Sequence, residues 1–222
     1  MAKRKPKTER RTDTLSKERI VEAAIELLDA EGEAALTFRA LTTHLATGSG
    51  AIYWHVDNKN ELLTAATHAV ITRAVADLAR VSDPRRAIRA VALALFDAID
   101  AHPWAGAHLS REPWQPAMGL IFESVGARLQ AFGVAARAQF GCASALVSYI
   151  VGVASQNAAN ARLLPRDTDR EAFLSTAVAR WVQDDPTRFP FVQRVAAQLR
   201  DHDDRQQFLV GIDLISSGIF RP

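Results

Sequence analysis

Leu36-Thr37-Phe38-Arg39-Ala40-Leu41-Thr42-Thr43-His44-Leu45-Ala46-Thr47-Gly48-Ser49-Gly50-Ala51-Ile52-Tyr53-Trp54-His55-Val56-Asp57-Asn58-Lys59 is the stretch that decides the fold. Thr37 is placed to cap a short helix from Phe38 to Leu45, with Leu41 and Leu45 on its inner face. Ala46 to Ser49 carry no helical pattern. A second short helix follows and ends near His55, with Ile52 and Val56 inward. Two short helices joined by a tight turn and braced by a third are how a chain offers one helix to the major groove of DNA. The brace lies upstream, where Ser16 caps a helix presenting Ile20, Ala24, Leu27 and Leu28 that stops at Gly32. Leu36, Leu41, Leu45, Ile52 and Val56 close a small core with Leu27 and Leu28. Downstream, Asn58 caps a long helix through Leu62, Leu63, Ala66, Val70 and Val75 to about Arg80.

The second short helix displays Ser49, Gly50, Ala51, Tyr53, Trp54 and His55 near its front. Small residues at the leading end allow close approach to base edges, and the aromatic cluster behind them suits thymine methyls and phosphates. The alternative is that Tyr53 and Trp54 are core aromatics. Adjacent helical residues point about 100° apart, so with Ile52 and Val56 filling the core at least one ring must be exposed.

The run Ala51-Ile52-Tyr53-Trp54-His55-Val56-Asp57-Asn58-Lys59-Asn60-Glu61-Leu62-Leu63 resembles the signature of the tetracycline-repressor (TetR) family. Leu36-Thr37-Phe38-Arg39 with Leu41 and Leu45, and Ser16-Lys17-Glu18-Arg19-Ile20-Val21, resemble the same family's preceding helices. The resemblance implies a palindrome-binding homodimer that represses transcription and is released by a small hydrophobic effector. It implies that Arg39 makes a bidentate guanine contact, for which its planar fork is suited. It sets Ser49, Gly50 and Ala51 at base-reading positions, and Tyr53, Trp54 and His55 at groove and phosphate positions. Lys59 falls at a phosphate clamp, and Thr37 near a phosphate. The chain departs from the family at the turn, where glycine–valine–serine is replaced by Ala46-Thr47-Gly48. Alanine is unfavourable at a left-handed position, so the turn is expected to shift by a residue or two, with Thr47 as cap.

The remaining pattern is helical throughout. Asp83-Pro84 begins a helix carrying Ile88, Val91, Leu95 and Ile99 to about Ala101, and His102-Pro103 breaks it. Pro113 and Pro116 punctuate an irregular stretch. Helices resume at roughly 117–132, 136–162, 170–184, 190–200 and 205–220. The expected fold is all-α, with a basic disordered arm (1–15), a helix-turn-helix domain (16–62) and a helical ligand-binding and dimerisation bundle (63–222), the two domains joined by the long helix. Two stripes suit a four-helix interface between copies: Ala145, Ser148, Gly152 and Ser155, and Phe208, Gly211, Ile212, Ile215 and Ile219. Close packing within one chain is the other reading. The second stripe also resembles the end of the family's dimer bundle.

A ligand pocket is expected from the opposite face of 136–162, with Tyr149, Val153, Gln156, Asn157 and Asn160. Phe96, Trp104, His108, Trp114, Met118 and Phe122 come from segments expected to wrap the same region. Packing of an ordinary core would produce much of the same list. His108-Leu109-Ser110-Arg111-Glu112-Pro113 resembles the family segment holding a magnesium-binding histidine. Arg111 and Gln156 stand where that segment's metal site has a threonine and a glutamate, and Val75 where the family member has a drug-gripping histidine, so no metal or other cofactor is expected.

Composition bounds these readings. The 222 residues are 48% hydrophobic with a net charge of +2, enough for a buried core and too little charge for a polycation. Lys3, Arg4, Lys5, Lys7, Arg10 and Arg11 crowd the start of the chain, a tail or an arm that condenses onto phosphates. No apolar run is expected to span a bilayer, and the lone Cys142 suits a reducing cytoplasm. Zinc-type spacing, phosphate-cradling glycine loops and a nucleophile elbow are all missing, so no catalytic residue is expected. An enzyme using the C-terminal pocket and a ligand-independent architectural DNA binder are the competing classes.

Overall fold

A computed structural model describes residues 15–76, 78, 81–163, 170–182, 188–201 and 203–220. The basic arm over 1–14 and the expected helix end at Arg80 lie outside the described residues. Every element among those described is a helix: α1 (Lys17–Glu31), α2 (Phe38–His44), α3 (Ser49–Tyr53), α4 (Lys59–Ala76), α5 (Pro84–Ala101), α6 (Pro103–Arg111), α7 (Pro116–Ala131), α8 (Ala136–Leu163), α9 (Arg170–Val182), α10 (Pro190–Asp201) and α11 (Asp204–Ile219). The chain divides into two compact units, one ending at Leu62 and one beginning at Leu63.

In the first unit the caps are those that the side chains suggest. Ser16 Oγ accepts from Arg19 N–H at 3.3 Å, and Thr37 Oγ1 from Ala40 N–H at 3.0 Å. Asn58 Oδ1 accepts from Glu61 N–H at 2.9 Å. Each satisfies a donor that the first helical turn leaves open, worth about 1 kcal/mol. Gly32, at φ 80°, ends α1 and donates to Leu28 O. Leu27, Leu28, Leu36, Leu41, Ile52 and Val56 are buried, while Leu45 is half-buried.

The turn between α2 and α3 does not shift. Ala46 itself takes the left-handed position at φ 49°, and Gly48, not Thr47, is the N-cap, with no side-chain bond. The ladder around the turn explains why. Leu45 N–H bonds Leu41 O at 2.9 Å and Thr47 N–H bonds Thr42 O at 3.1 Å, so sliding the register would break both.

The second unit is a bundle around α8, which packs on α5, α6, α7 and α11. Its core joins Ile88, Val91, Leu95 and Ile99 of α5 to Ile121, Val125 and Leu129 of α7, with Leu146 and Ile150 of α8 and Phe208 and Ile212 of α11. Full burial of each large side chain is worth about 1.5–3 kcal/mol. The stretch after His102 is helical: α6 starts on Pro103, whose missing N–H is harmless at a first helical position. The proline that ends α5 therefore also begins α6. Gly106 of α6 lies so close to α8 that an added Cβ would stand 2.8 Å from Ser155 Oγ. α8 is long and apolar enough to cross a membrane by length and composition, contrary to the expectation of no such run. Its apolar side chains instead form the centre of this bundle.

The packing corrects part of the expected dimer surface. Phe208 and Ile212 are fully buried in the chain's own core. Gly211 faces Tyr149, whose hydroxyl lies 1.9 Å from where a Cβ would stand. Ile215 and Ile219 pack half-buried against the same core. Ser155 meets α6. These residues read as a stripe because α11 has an apolar inner face; periodicity does not say whether its neighbour belongs to the same chain.

Candidate nucleic-acid interface and effector groove

α3 is held to its unit through Ile52, with Val56 just beyond it, both essentially inaccessible. Everything else at its front is open: Ser49, Gly50 and Ala51 are exposed, and Tyr53 and Trp54 are 53% and 87% exposed. Both aromatics therefore lie outside the core. Tyr53 is also fixed, because its ring stacks on Phe38 of α2 with centroids 4.5 Å apart and planes 7° from parallel. The stack ties the two short helices together on their outer side.

Arg39 is exposed one residue into α2, and its carbonyl is occupied by the hydroxyls of Thr42 and Thr43 at 2.8 and 3.1 Å. Thr37 is exposed and spends its oxygen on the cap. His55 is half-buried. The Glu18 carboxyl is held below its ordinary range, chiefly by a backbone N–H at the start of α1 and then by Ser16. Lys59 is half-buried, with Nζ donating to Glu33 O at 2.5 Å. An ammonium has three donors, so this bond leaves two for a phosphate. Glu61 accepts from Lys17 Nζ and from Asp57 N–H, both at 2.8 Å, and those bonds lower its pKa.

In the second unit, α6, α7 and α8 enclose a groove of about 720 Å³. Its wall comprises Leu109, Ser110, Pro113, Trp114, Gln115, Pro116, Met118, Gly119, Phe122, Phe140, Val147, Ser148, Val151 and Gly152. No residue in that wall is acidic or basic. Trp114 and Phe140 stand 96% and 78% exposed at its mouth. Of the expected pocket residues, Trp114, Met118 and Phe122 lie here. Phe96 is instead core, its ring 4.7 Å from Phe208, and Trp104 is buried. Tyr149 donates to Phe208 O at 3.2 Å, and burial raises its pKa. Val153 packs on the core, Asn157 is half-buried, and Gln156 and Asn160 are exposed. His108 is 1% exposed, with Nε2 3.2 Å from Thr64 Oγ1 of α4. Among the described residues no three His, Cys, Asp or Glu side chains are grouped to hold a metal.

Most of this wall is not legible in the sequence: Leu109 and Ser110 lie in the stretch that reads as irregular, and Ser148 and Gly152 of α8 lie on the stripe that reads as a dimer face. The available signal was the tryptophan of Pro113-Trp114-Gln115-Pro116, a large apolar residue between two prolines and hence on a bend at the surface.

A three-helix head with an open third helix, followed by a helical bundle with an apolar groove, defines a helix-turn-helix transcription regulator. Residues 20–66 match the family described as bacterial regulatory proteins, tetR family. The chain is 52% identical to SCO7222, a TetR transcriptional regulator of Streptomyces coelicolor, over 92% of this chain and 97% of that one, with a TM-score of 0.80. An HTH-type transcriptional regulator of Saccharopolyspora erythraea is 31% identical over 153 residues, 68% of this chain; the match spans 65% of that relative's length. ActR of Streptomyces coelicolor in complex with actinorhodin shares the fold at a TM-score of 0.76 and 22% identity, over 93% of this chain and 96% of that one. The chain belongs to the TetR family of DNA-binding transcription regulators.

Proposed function

We propose that the protein is a repressor that binds a palindromic operator as a homodimer and leaves it when a small hydrophobic effector enters the groove. The carrying observation is the front of α3, where Ile52 is buried while Ser49, Gly50, Ala51, Tyr53 and Trp54 are all open. A helix anchored so narrowly and otherwise bare is shaped to enter a groove wider than itself. Arg39 reads guanine, Lys59 and Thr37 grip phosphates, and the basic arm adds charge. Two such heads about 34–36 Å apart engage successive major grooves.

Pairing uses the faces that the bundle leaves open. Ala145 is exposed on α8, where a small side chain permits close helix approach; Ser148 and Gly152, expected on the same face, line the groove and are left to it. Val210 and Leu214 of α11 are 49% and 71% exposed. They replace Phe208 and Ile212 as the apolar contacts offered to a partner.

The release route runs through α6. Leu109 and Ser110 line the groove, and the adjacent His108 meets Thr64 on α4. α4 begins at Lys59, inside the DNA-binding unit. An effector that displaces α6 shifts α4 and with it the head, provided that it binds the DNA-incompetent arrangement more tightly. ActR, which shares this fold, offers the example of a ligand complex, with actinorhodin. The protein acts where the chromosome is, in the cytoplasm.

The test is a footprint on DNA flanking the protein's own gene, repeated with a panel of apolar compounds. The expected result is a twofold-symmetric footprint that one compound abolishes. Protection without discrimination from random DNA, insensitive to every compound, would instead define an architectural binder.

A further inference from the structure

One side chain in the groove wall has no stated employment. Gln115 is 8% exposed, and both Nε2 and Oε1 are shielded from solvent without a hydrogen-bond partner in the protein. It occupies the N-cap position of α7 yet makes no capping bond. Its backbone holds it in place: the N–H donates to Glu112 O at 3.3 Å, and the carbonyl accepts from Met118 N–H at 3.0 Å. A buried carboxamide without partners is unfavourable and calls for an explanation. Ser110, another polar residue of the wall, is already satisfied, donating to Gly106 O at 3.0 Å.

We infer that the groove receives an uncharged, planar ligand that presents a hydrogen-bond donor and acceptor side by side, as a lactam or primary amide does, to the Gln115 carboxamide. This names the effector class for the groove proposed above and rests on that reading. Turned toward the groove, the carboxamide carries N–H and C=O on one edge, and a single ligand group with the same pair in opposite order satisfies both atoms at once. A ketone or ether leaves one orphaned. Charge is excluded by the wall, which offers no counter-ion to a desolvated carboxylate or ammonium. Planarity follows from Trp114, Phe122 and Phe140, whose ring faces and edges favour a flat aromatic partner.

The experiment is calorimetric titration of the full chain with phenanthridin-6(5H)-one, a tricyclic lactam. Its N-methyl derivative lacks the donor, and phenanthrene-9-carboxylate carries a charge. The lactam is expected to bind, the N-methyl compound roughly tenfold more weakly, and the carboxylate not at all. Gln115→Leu should erase the difference between the first two. If that variant does not fold, by circular dichroism, the two lactams on the unaltered protein decide alone. Equal affinity for both lactams would overturn the inference while leaving the groove as an effector site. Failure of all three to bind would overturn the inference and the groove reading together. Conversion of dimer to monomer by the lactam in sedimentation would mark the groove as a self-association face and overturn it as well.

Discussion

Ala46 holds a positive φ of 49° in the turn that sets the angle between α2 and α3. A Cβ in that region costs about 1–2 kcal/mol, part of which glycine would return as unfolded-state entropy. Ala46→Gly is therefore expected to stabilise the first unit by about 0.5–1 kcal/mol, read as a higher melting temperature with operator preference unchanged. Arg39 belongs to the same scale. Arg39→Ala should cost about 1–3 kcal/mol on the operator and relax preference at one base pair per half-site, measured by competition with singly substituted operators. Equal losses on operator and random DNA would remove its reading role. Gly211→Ala places a methyl 1.9 Å from the Tyr149 hydroxyl, so the bond to Phe208 O must break or α11 must move. The expected loss is about 1–3 kcal/mol of stability, seen in thermal unfolding at any protein concentration. A loss seen only at low concentration would return this glycine to a dimer contact.

At the scale of elements, α4 begins under a double clasp. Asn58 caps it, and Glu61 reaches back to Asp57 N–H and across to Lys17. The Lys17 bond first, and the backbone bond second, pull the Glu61 pKa below its ordinary 4.5. A carboxyl with a lowered folded-state pKa stabilises above the unfolded-state value and loses that contribution as pH falls through the lowered one. Glu61→Gln should therefore reduce the melting temperature at neutral pH, with the deficit narrowing once pH drops below about 4.5. Because Glu61 is solvent-accessible, the deficit should also shrink in high salt. Elements with strong local signals were legible: Ser16, Thr37, Asn58 and Asp83 all cap where their chemistry suggests. α6 was not, because Pro103 reads equally as the end of one helix and the start of another. The groove was mostly hidden for the same reason, since it depends on where α6 lies. The stripe on α11 was legible as apolar but not as inward-facing, because burial is a property of neighbours.

For the whole molecule, the proposed pairing rests on the open residues of α11. Leu214, 71% exposed, has no packing duty within the chain, so Leu214→Arg should leave the melting of the monomer fold intact while sedimentation shows half the mass. Operator affinity should then fall on the order of 100-fold, because the second half-site no longer benefits from tethering. A Leu214→Arg protein that remains dimeric would place the pairing surface elsewhere.

The leading end of α3 has one more implication. Ser49, Gly50 and Ala51 are exposed, and a side chain added at Gly50 would meet nothing within 4 Å. In the proposed mode of binding, anchoring and reading therefore fall to different residues, and the three at the leading end bury nothing in the fold. A library randomised at these three positions should be almost wholly foldable, so new operator preferences can be selected without first rescuing stability. In evolutionary terms, duplicated copies of this regulator are free to part company on DNA while keeping the same body.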